Sequence, residues 1–361
     1  MKHRFEVLDI FRGIFASMVV FFHLSAFTDT IILKNNFIYN CDLFVDFFFV
    51  LSGFVISYSY QKIDSPQQLN LFYKKRFWRL YPLHILMLFA FVAIEFIKKG
   101  MVGRVQINQL NNPNNNLFTF FSNLFMLNSV KLPNVTDVSW NIPSWSISAE
   151  VIAYLLFGIL LILLHRTNGY KVRNWCFAAV VAGAFILLRF WTGGFKLTYS
   201  FDYGFLRGWI GFFTGALCLS FFQKTYDVVS KKPAMLFSIA EVVIIITMIL
   251  MVYHGFDLKP YGYLFVLLFF VSVYVFSFEK GICSNGLKRV GLLKKIGMYS
   301  YSIYMTHALC LSLFNIVFIR VLKMQPSAYA YLFIVNYIMI YYVSKWTYKN
   351  VEMRFQYKKK I

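Results

Sequence analysis

Ten separate stretches of this chain are apolar over nearly the length needed to cross a bilayer: 8–27, 42–60, 80–97, 147–164, 175–192, 204–222, 235–253, 260–277, 298–320 and 328–345. A lipid core about 30 Å thick is spanned by about 20 helical residues at 1.5 Å each. Inside lipid each backbone N–H and C=O must find its partner within the segment, so such runs fold as helices. The expectation is an all-α polytopic membrane bundle of about ten transmembrane helices, forming one domain over residues 1–361. Composition agrees, with 59% apolar residues and only 14% charged, against about 25% charged in a soluble globular protein. A soluble enzyme and a nucleic-acid-binding module are both excluded on that ground. The stretch 117–130 (LFTFFSNLFMLNSV) is too short and polar to span, and reads as an interfacial or re-entrant piece.

The net charge of +21 needs a reason in so apolar a chain. With the N-terminus placed inside, 23 of the 36 Lys and Arg fall in inner segments and 8 in outer ones. That is the bias of cytoplasmic loops toward basic residues, so both termini are expected in the cytoplasm and no nucleic-acid partner is needed. The outer loop 98–146 carries an Asn-rich stretch, NQLNNPNNN, that reads as a lid or a linker. Five Cys are too far apart for a CxxC pair, and no His, Cys or carboxylate cluster has metal-ligand spacing. The first run carries Arg12 and His23 and lacks a small-residue cleavage site, so it reads as a retained helix.

Ionisable and polar residues inside such runs are costly, which makes them functional candidates. In the first run Arg12 and His23 are 11 residues apart. At about 100° per residue they share one helix face, roughly 16 Å apart along the axis. Asp9 lies one turn before Arg12 and can pair with it. The second run, VDFFFVLSGFVIS, buries Asp46, which needs a partner. Its Ser52-Gly53 step suits either a close helix contact or the passage of a thin ligand. In KKRFWRLYPL, Arg76 and Arg79 share a face near the inner surface, where paired guanidiniums suit phosphate and positive-inside anchoring alike. The fourth run opens PSWSISAEVIAYLLF, with Trp145 and Ser146 one turn before Glu150. Glu150 and His23 fall at one depth on this map, so a carboxylate–imidazole dyad is expected, with His23 as general base. The ninth run carries a polar stripe at Tyr301, Tyr304 and His307, suited to a channel wall or to interhelical hydrogen bonds.

Five of these blocks, in this order, resemble the acyltransferase 3 family of bacterial integral membrane proteins: RFEVLDIFRGIFASMVVFFH, VDFFFVLSGFVIS, RFWRLYPL, WSISAEVIAYLLF and SYSIYMTHA. The resemblance runs along nearly the whole chain. It departs at Ala149 and Ala153, where bulkier residues are common, and at NVEMRF, where a proline after Glu352 is usual. It implies an O-acyltransferase of the bacterial inner membrane that moves an acyl group, usually acetyl, from cytoplasmic acyl-CoA to a hydroxyl of a surface glycan or similar acceptor. Acyl-CoA would be a co-substrate, with no permanently bound cofactor. The lipid bilayer and a polysaccharide-synthesis complex are the implied partners. His23 and Glu150 would be catalytic. Asp9, Arg12, Ser52, Gly53, Arg76, Arg79, Tyr304 and His307 would hold the donor or line its channel, and Trp145 and Ser146 would face the acceptor. Some family members carry an extracytoplasmic hydrolase-like domain; this chain ends 16 residues after its last expected span, so the stand-alone form is expected. The same ten runs and buried charges also suit a transporter or flippase for a saccharide or lipid-linked substrate, which would have no need of coenzyme A.

Overall fold

The computed structural model describes residues 4–28, 30–100 and 112–356, and among them there are helices, turns and loops but no strand. Its principal helices are α1 (Glu6–Ser25), α2 (Phe44–Ser59), α3 (Pro66–Gly100), α4 (Leu117–Leu124), α5 (Ser144–Arg166), α6 (Arg173–Thr192), α7 (Gly204–Val229), α8 (Ala234–Tyr253), α9 (Tyr263–Phe276), α10 (Ile282–Arg289), α11 (Gly291–Met298), α12 (Ser300–Asn315) and α13 (Phe333–Thr347). Among the described residues, eight helical segments are long and apolar enough to cross a membrane, or nine if the bent pair 255–261 and 263–276 counts as one span. The chain is an all-α polytopic membrane protein. That pair turns through 97°, so the span expected at 260–277 is a broken one. The tenth expected run falls on α13, only 15 residues of α-helix, which continues through a π-helical turn at Tyr348–Glu352.

Two other elements differ from the sequence reading. The third run is the second half of α3, a 35-residue helix that carries RFWRLYPL and Pro82 inside it. At 1.5 Å per residue it is about 52 Å long, well beyond the lipid core, so its first turns project into the basic end. Within 117–130 only the eight residues of α4 are helical, capped reciprocally by Asn116 and Thr119, and a helix this short cannot span. The first part of the Asn-rich loop, 101–111, lies outside the described residues. From residue 112 onward the loop is tied down by Asn115 Oδ1, which accepts from the Trp140 backbone N–H at 2.7 Å, and by Asn141, which donates to the Met305 carbonyl of α12 at 3.2 Å.

Burial sorts the helices by depth in the bundle. Most of the apolar surface of α2 and α7 is covered, whereas α6 and α8 leave most of theirs outward, as lipid-facing helices do. The central contact is the α2–α7 crossing. It is close because glycines face backbone on both sides: a Cβ at Gly53 would lie 1.7 Å from the Phe212 carbonyl oxygen, and one at Gly215 1.8 Å from that of Val50. Small residues let backbones meet in lipid, where no hydrophobic drive separates protein from solvent. Gly53 is therefore a packing notch, and the reading of it as a ligand passage is corrected here. Against this centre pack α1 and α5, and α12 packs in turn on α1, α3 and α13; these helices carry most of the polar residues singled out above.

Candidate active site

A cavity of about 150 Å³ opens between α1, α2, α3, α5 and α12. Its wall includes Arg12, Ser52, Arg76, Arg79, Ser146, Glu150, Tyr154 and Tyr304. Helical spacing explains most of this set. Arg76 and Arg79 are one turn apart on α3, and Ser146, Glu150 and Tyr154 recur every four residues on α5, so each group faces one way.

Within the cavity the carboxylate of Glu150 is engaged locally. Ser52 donates to its Oε1 at 2.5 Å, Tyr154 donates to the same oxygen, and the two hydroxyls lie 2.9 Å apart. Of the three guanidiniums, Arg79 pairs with buried Glu352 at 2.9 Å, and Glu352 also accepts a hydrogen bond from Ser302. Arg12 lies 3.6 Å from Asp9, whose other carboxylate oxygen accepts from Arg4 at 2.8 Å. Arg76 differs: its Nε is buried with no hydrogen-bond partner, and its guanidinium lies 5.8 Å from the Tyr60 ring centroid. A buried donor without a hydrogen-bond partner, in a wall that carries three guanidiniums and one carboxylate, suits an anion.

From the cavity a polar line continues along α12. The Tyr304 hydroxyl is 2.8 Å from Ser146 Oγ, bridging α12 to α5. One turn further on, His307 is wholly buried, its Nδ1 2.6 Å from the Tyr304 carbonyl oxygen and its ring centroid 5.0 Å from that of His23. His23 sits in the last turn of α1, at the opposite end of that helix from Arg12.

These contacts redraw part of the sequence expectation. The expected His23–Glu150 dyad is not made: Glu150 belongs to the arginine cavity, with Ser52 and Tyr154, while His23 faces His307. Depth along two helices had fixed height in the membrane but not which faces meet. The carboxylate whose charge reaches His23 is Asp42, itself paired with Lys259 at 2.9 Å. Asp9 lies at the start of α1 with Arg4 and does not line the cavity. Trp145 also turns away from it, its ring centroid 5.3 Å from the guanidinium of Arg207. Arg12, Ser52, Arg76, Arg79, Ser146, Glu150 and Tyr304 are brought together as a group.

Several partners escaped the sequence reading. Asp46 is held by Arg207 of α7, with Nε–Oδ1 at 2.7 Å and Nη2–Oδ2 at 2.9 Å. Tyr154 could have been flagged by its four-residue spacing from Glu150. Glu352 and Asp42 are distant in sequence from Arg79 and His23, and no local pattern links them.

Comparison with known proteins now bears on this arrangement. A family described as an acyltransferase domain, acyltransferase 3, matches residues 5–346. Acyltransferase MdmB of Streptomyces mycarofaciens is 30% identical over 152 residues, 42% of this chain and 36% of that protein. Protein 2 in the picA locus of Rhizobium radiobacter is 29% identical over 162 residues, 43% of this chain and 81% of its own length. The chain thus spans about a third of the first relative and most of the second. No solved structure matches. With the match covering nearly the whole bundle and every helix that lines the cavity, the chain belongs to the acyltransferase 3 family.

Proposed function

We propose that this protein is a membrane O-acyltransferase that moves an acyl group, acetyl above all, from acyl-CoA to a hydroxyl of a surface glycan or similar acceptor at the bacterial inner membrane. The observation that carries the reading is the run of polar groups from the arginine cavity through Ser146 and Tyr304 to the His23–His307 pair. In this reading Arg76, with Arg12 and Arg79, receives the phosphates of the donor from the cytoplasmic side. A guanidinium fork matches phosphate oxygens better than an ammonium does. Glu150, held by Ser52 and Tyr154, borders the path of the thin pantetheine arm. His23 accepts the proton of the acceptor hydroxyl as its oxygen attacks the thioester carbonyl. The new C–O bond forms, the C–S bond breaks, and the departing thiolate takes the proton back from His23.

The test is transfer by the full-length chain in lipid, from labelled acetyl-CoA to a panel of candidate glycans. Wild type should move label from donor to acceptor, and His23→Ala should lower the rate about 10²–10⁴-fold, the range for loss of a general base, while the protein still accumulates in the membrane. Full activity in His23→Ala would remove His23 from the chemistry. Movement of an unaltered saccharide with no release of coenzyme A would replace the acyltransferase reading with transport.

A further inference from the structure

We infer that His307 is a positioning residue for His23: it takes up the second imidazole N–H of the base and so leaves one defined nitrogen free to accept the acceptor's proton. This rests on the reading of His23 as base and adds the group that sets its tautomer.

The argument begins with the Tyr304 carbonyl. A carbonyl only accepts, so the 2.6 Å contact requires that Nδ1 of His307 carry the hydrogen. In the neutral ring the lone pair then sits on Nε2. That atom is fully buried and has no partner among the described residues. A buried acceptor left unpaired is costly, and such orphans call for an explanation. The His23 ring, 5.0 Å away between centroids, is an imidazole neighbour on another helix.

Among the described residues, the other charged and titratable groups bearing on the pair are already engaged. Asp42 is committed to Lys259, Tyr304 supplies its carbonyl to His307 and its hydroxyl to Ser146, and Glu150 is held by Ser52 and Tyr154. None of these orients the His23 ring by a hydrogen bond. Among these described groups His307 is the one left in reach, and catalytic hydrogen bonds that are long in a free enzyme commonly tighten when substrate is bound. When His23 takes the acceptor's proton it becomes an imidazolium with two N–H groups. One faces the leaving sulfur and returns the proton there; the other is held by His307 Nε2. No proton is gained or lost by His307 over the cycle.

Two substitutions of similar length separate this role from packing. His307→Gln offers a side-chain carbonyl oxygen near the place of Nε2, whereas His307→Met fills the space without an acceptor able to do the same work. The first readout needs no acyl acceptor: the rate at which diethyl pyrocarbonate modifies His23 in the full-length chain in lipid nanodiscs, read by peptide mass spectrometry. Wild type and His307→Gln should react alike, and His307→Met about fivefold more slowly, the rate equivalent of one net hydrogen bond. In acetyl transfer His307→Met should lower kcat about tenfold or more with little change in KM for acetyl-CoA, and Gln should restore most of it.

Equal behaviour of the Gln and Met variants, whether both match wild type or both fail, overturns the inference. The wild-type chain gives a second measurement that needs no variant. Two interacting imidazoles titrate as a pair, so the pH dependence of His23 modification should be two-step, and a single-step curve counts against the pairing. An active His23→Ala enzyme would defeat the proposed base while leaving the modification experiment to decide the pair by itself. Loss of activity in His23→Ala with full activity in His307→Met would keep the base and defeat only its partner.

Discussion

Arg207 and Arg76 are guanidiniums in membrane-protein helices, and their surroundings are opposite. Arg207 is closed on every side: a two-point pair with Asp46, a hydrogen bond to the Tyr199 carbonyl at 3.3 Å and the face of Trp145. Both partners of the ion pair are nearly inaccessible. Arg76 borders a cavity, keeps a buried Nε without a hydrogen-bond partner and lies over the ring of Tyr60, 5.8 Å from its centroid. A charge that has its counter-charge inside the protein holds helices together, here α2 to α7. A charge that makes no ion pair among the described residues can take an anion from outside. The rule that intramembrane charges are functional by default therefore divides in two, and the dividing observation is partner satisfaction. Glu241 of α8 falls on the Arg207 side of that line. It is wholly buried, yet its carboxylate accepts the backbone N–H groups of Gly281 and Ser284 at 3.0 and 2.9 Å, holding the start of α10.

The largest effect expected from this contrast is on stability. Asp46→Ala leaves Arg207 buried without its carboxylate, which typically costs about 3–5 kcal/mol. The variant should accumulate poorly and unfold at lower temperature in detergent. Restoring part of that stability in the double variant Asp46→Leu with Arg207→Leu would mark the pair as structural. An Asp46→Ala chain that folds normally but does not bind donor would move Asp46 to the functional side and break the contrast.

Arg76→Ala should do the reverse. Folding should be unchanged, because no internal partner is orphaned. The apparent affinity for acyl-CoA should fall by roughly one to two decades, since a charge-assisted contact is worth about 1.5–3 kcal/mol. Raising the donor concentration should restore the rate. Arg76→Lys should recover little, because the ammonium keeps the charge and loses the two-point fork. Titration of transfer against acetyl-CoA checks all three, and an unchanged KM with reduced protein would make Arg76 an anchor to the inner surface instead.

What was legible in the sequence follows the same division. Periodicity along one helix is a local property, so the grouping of Arg76 with Arg79 and of Ser146 with Glu150 could be read in advance. The Arg12–His23 face was equally local, and its two ends do lie in two different polar settings. Pairings between helices depend on rotation and crossing angle, which hydropathy does not encode. For that reason His23 was assigned to Glu150 when its neighbour is His307, and Asp46 was seen to need a partner without Arg207 being found. Gly53 was open between packing and passage, and only the position of the Phe212 carbonyl decides it. Span lengths failed where helices do not behave as straight rods: α3 runs beyond the core, and the pair around Gly262 bends sharply.

Arg79 lies between the two cases, and the smallest effect expected here concerns it. It lines the cavity like Arg76, yet its counter-charge is internal, the Glu352 carboxylate on the π-helical turn that follows α13. Single π turns are frequent at functional sites, because the extra residue redirects the side chains around it. Here the turn carries Glu352 to Arg79 at the edge of the cavity, where its carboxylate pairs with a guanidinium proposed to meet the donor. Glu352→Gln keeps the shape and an oxygen able to accept from Ser302, but removes the charge. If the carboxylate competes with donor phosphate for Arg79, the KM for acetyl-CoA should fall about fivefold, a change on the order of 1 kcal/mol, comparable to one net hydrogen bond. That gain should vanish in the double variant with Arg79→Ala, because the two residues act through one contact. A rise in KM would give the opposite assignment. The carboxylate would then be aiming Arg79 at the donor, and the internal pair would be part of the binding site.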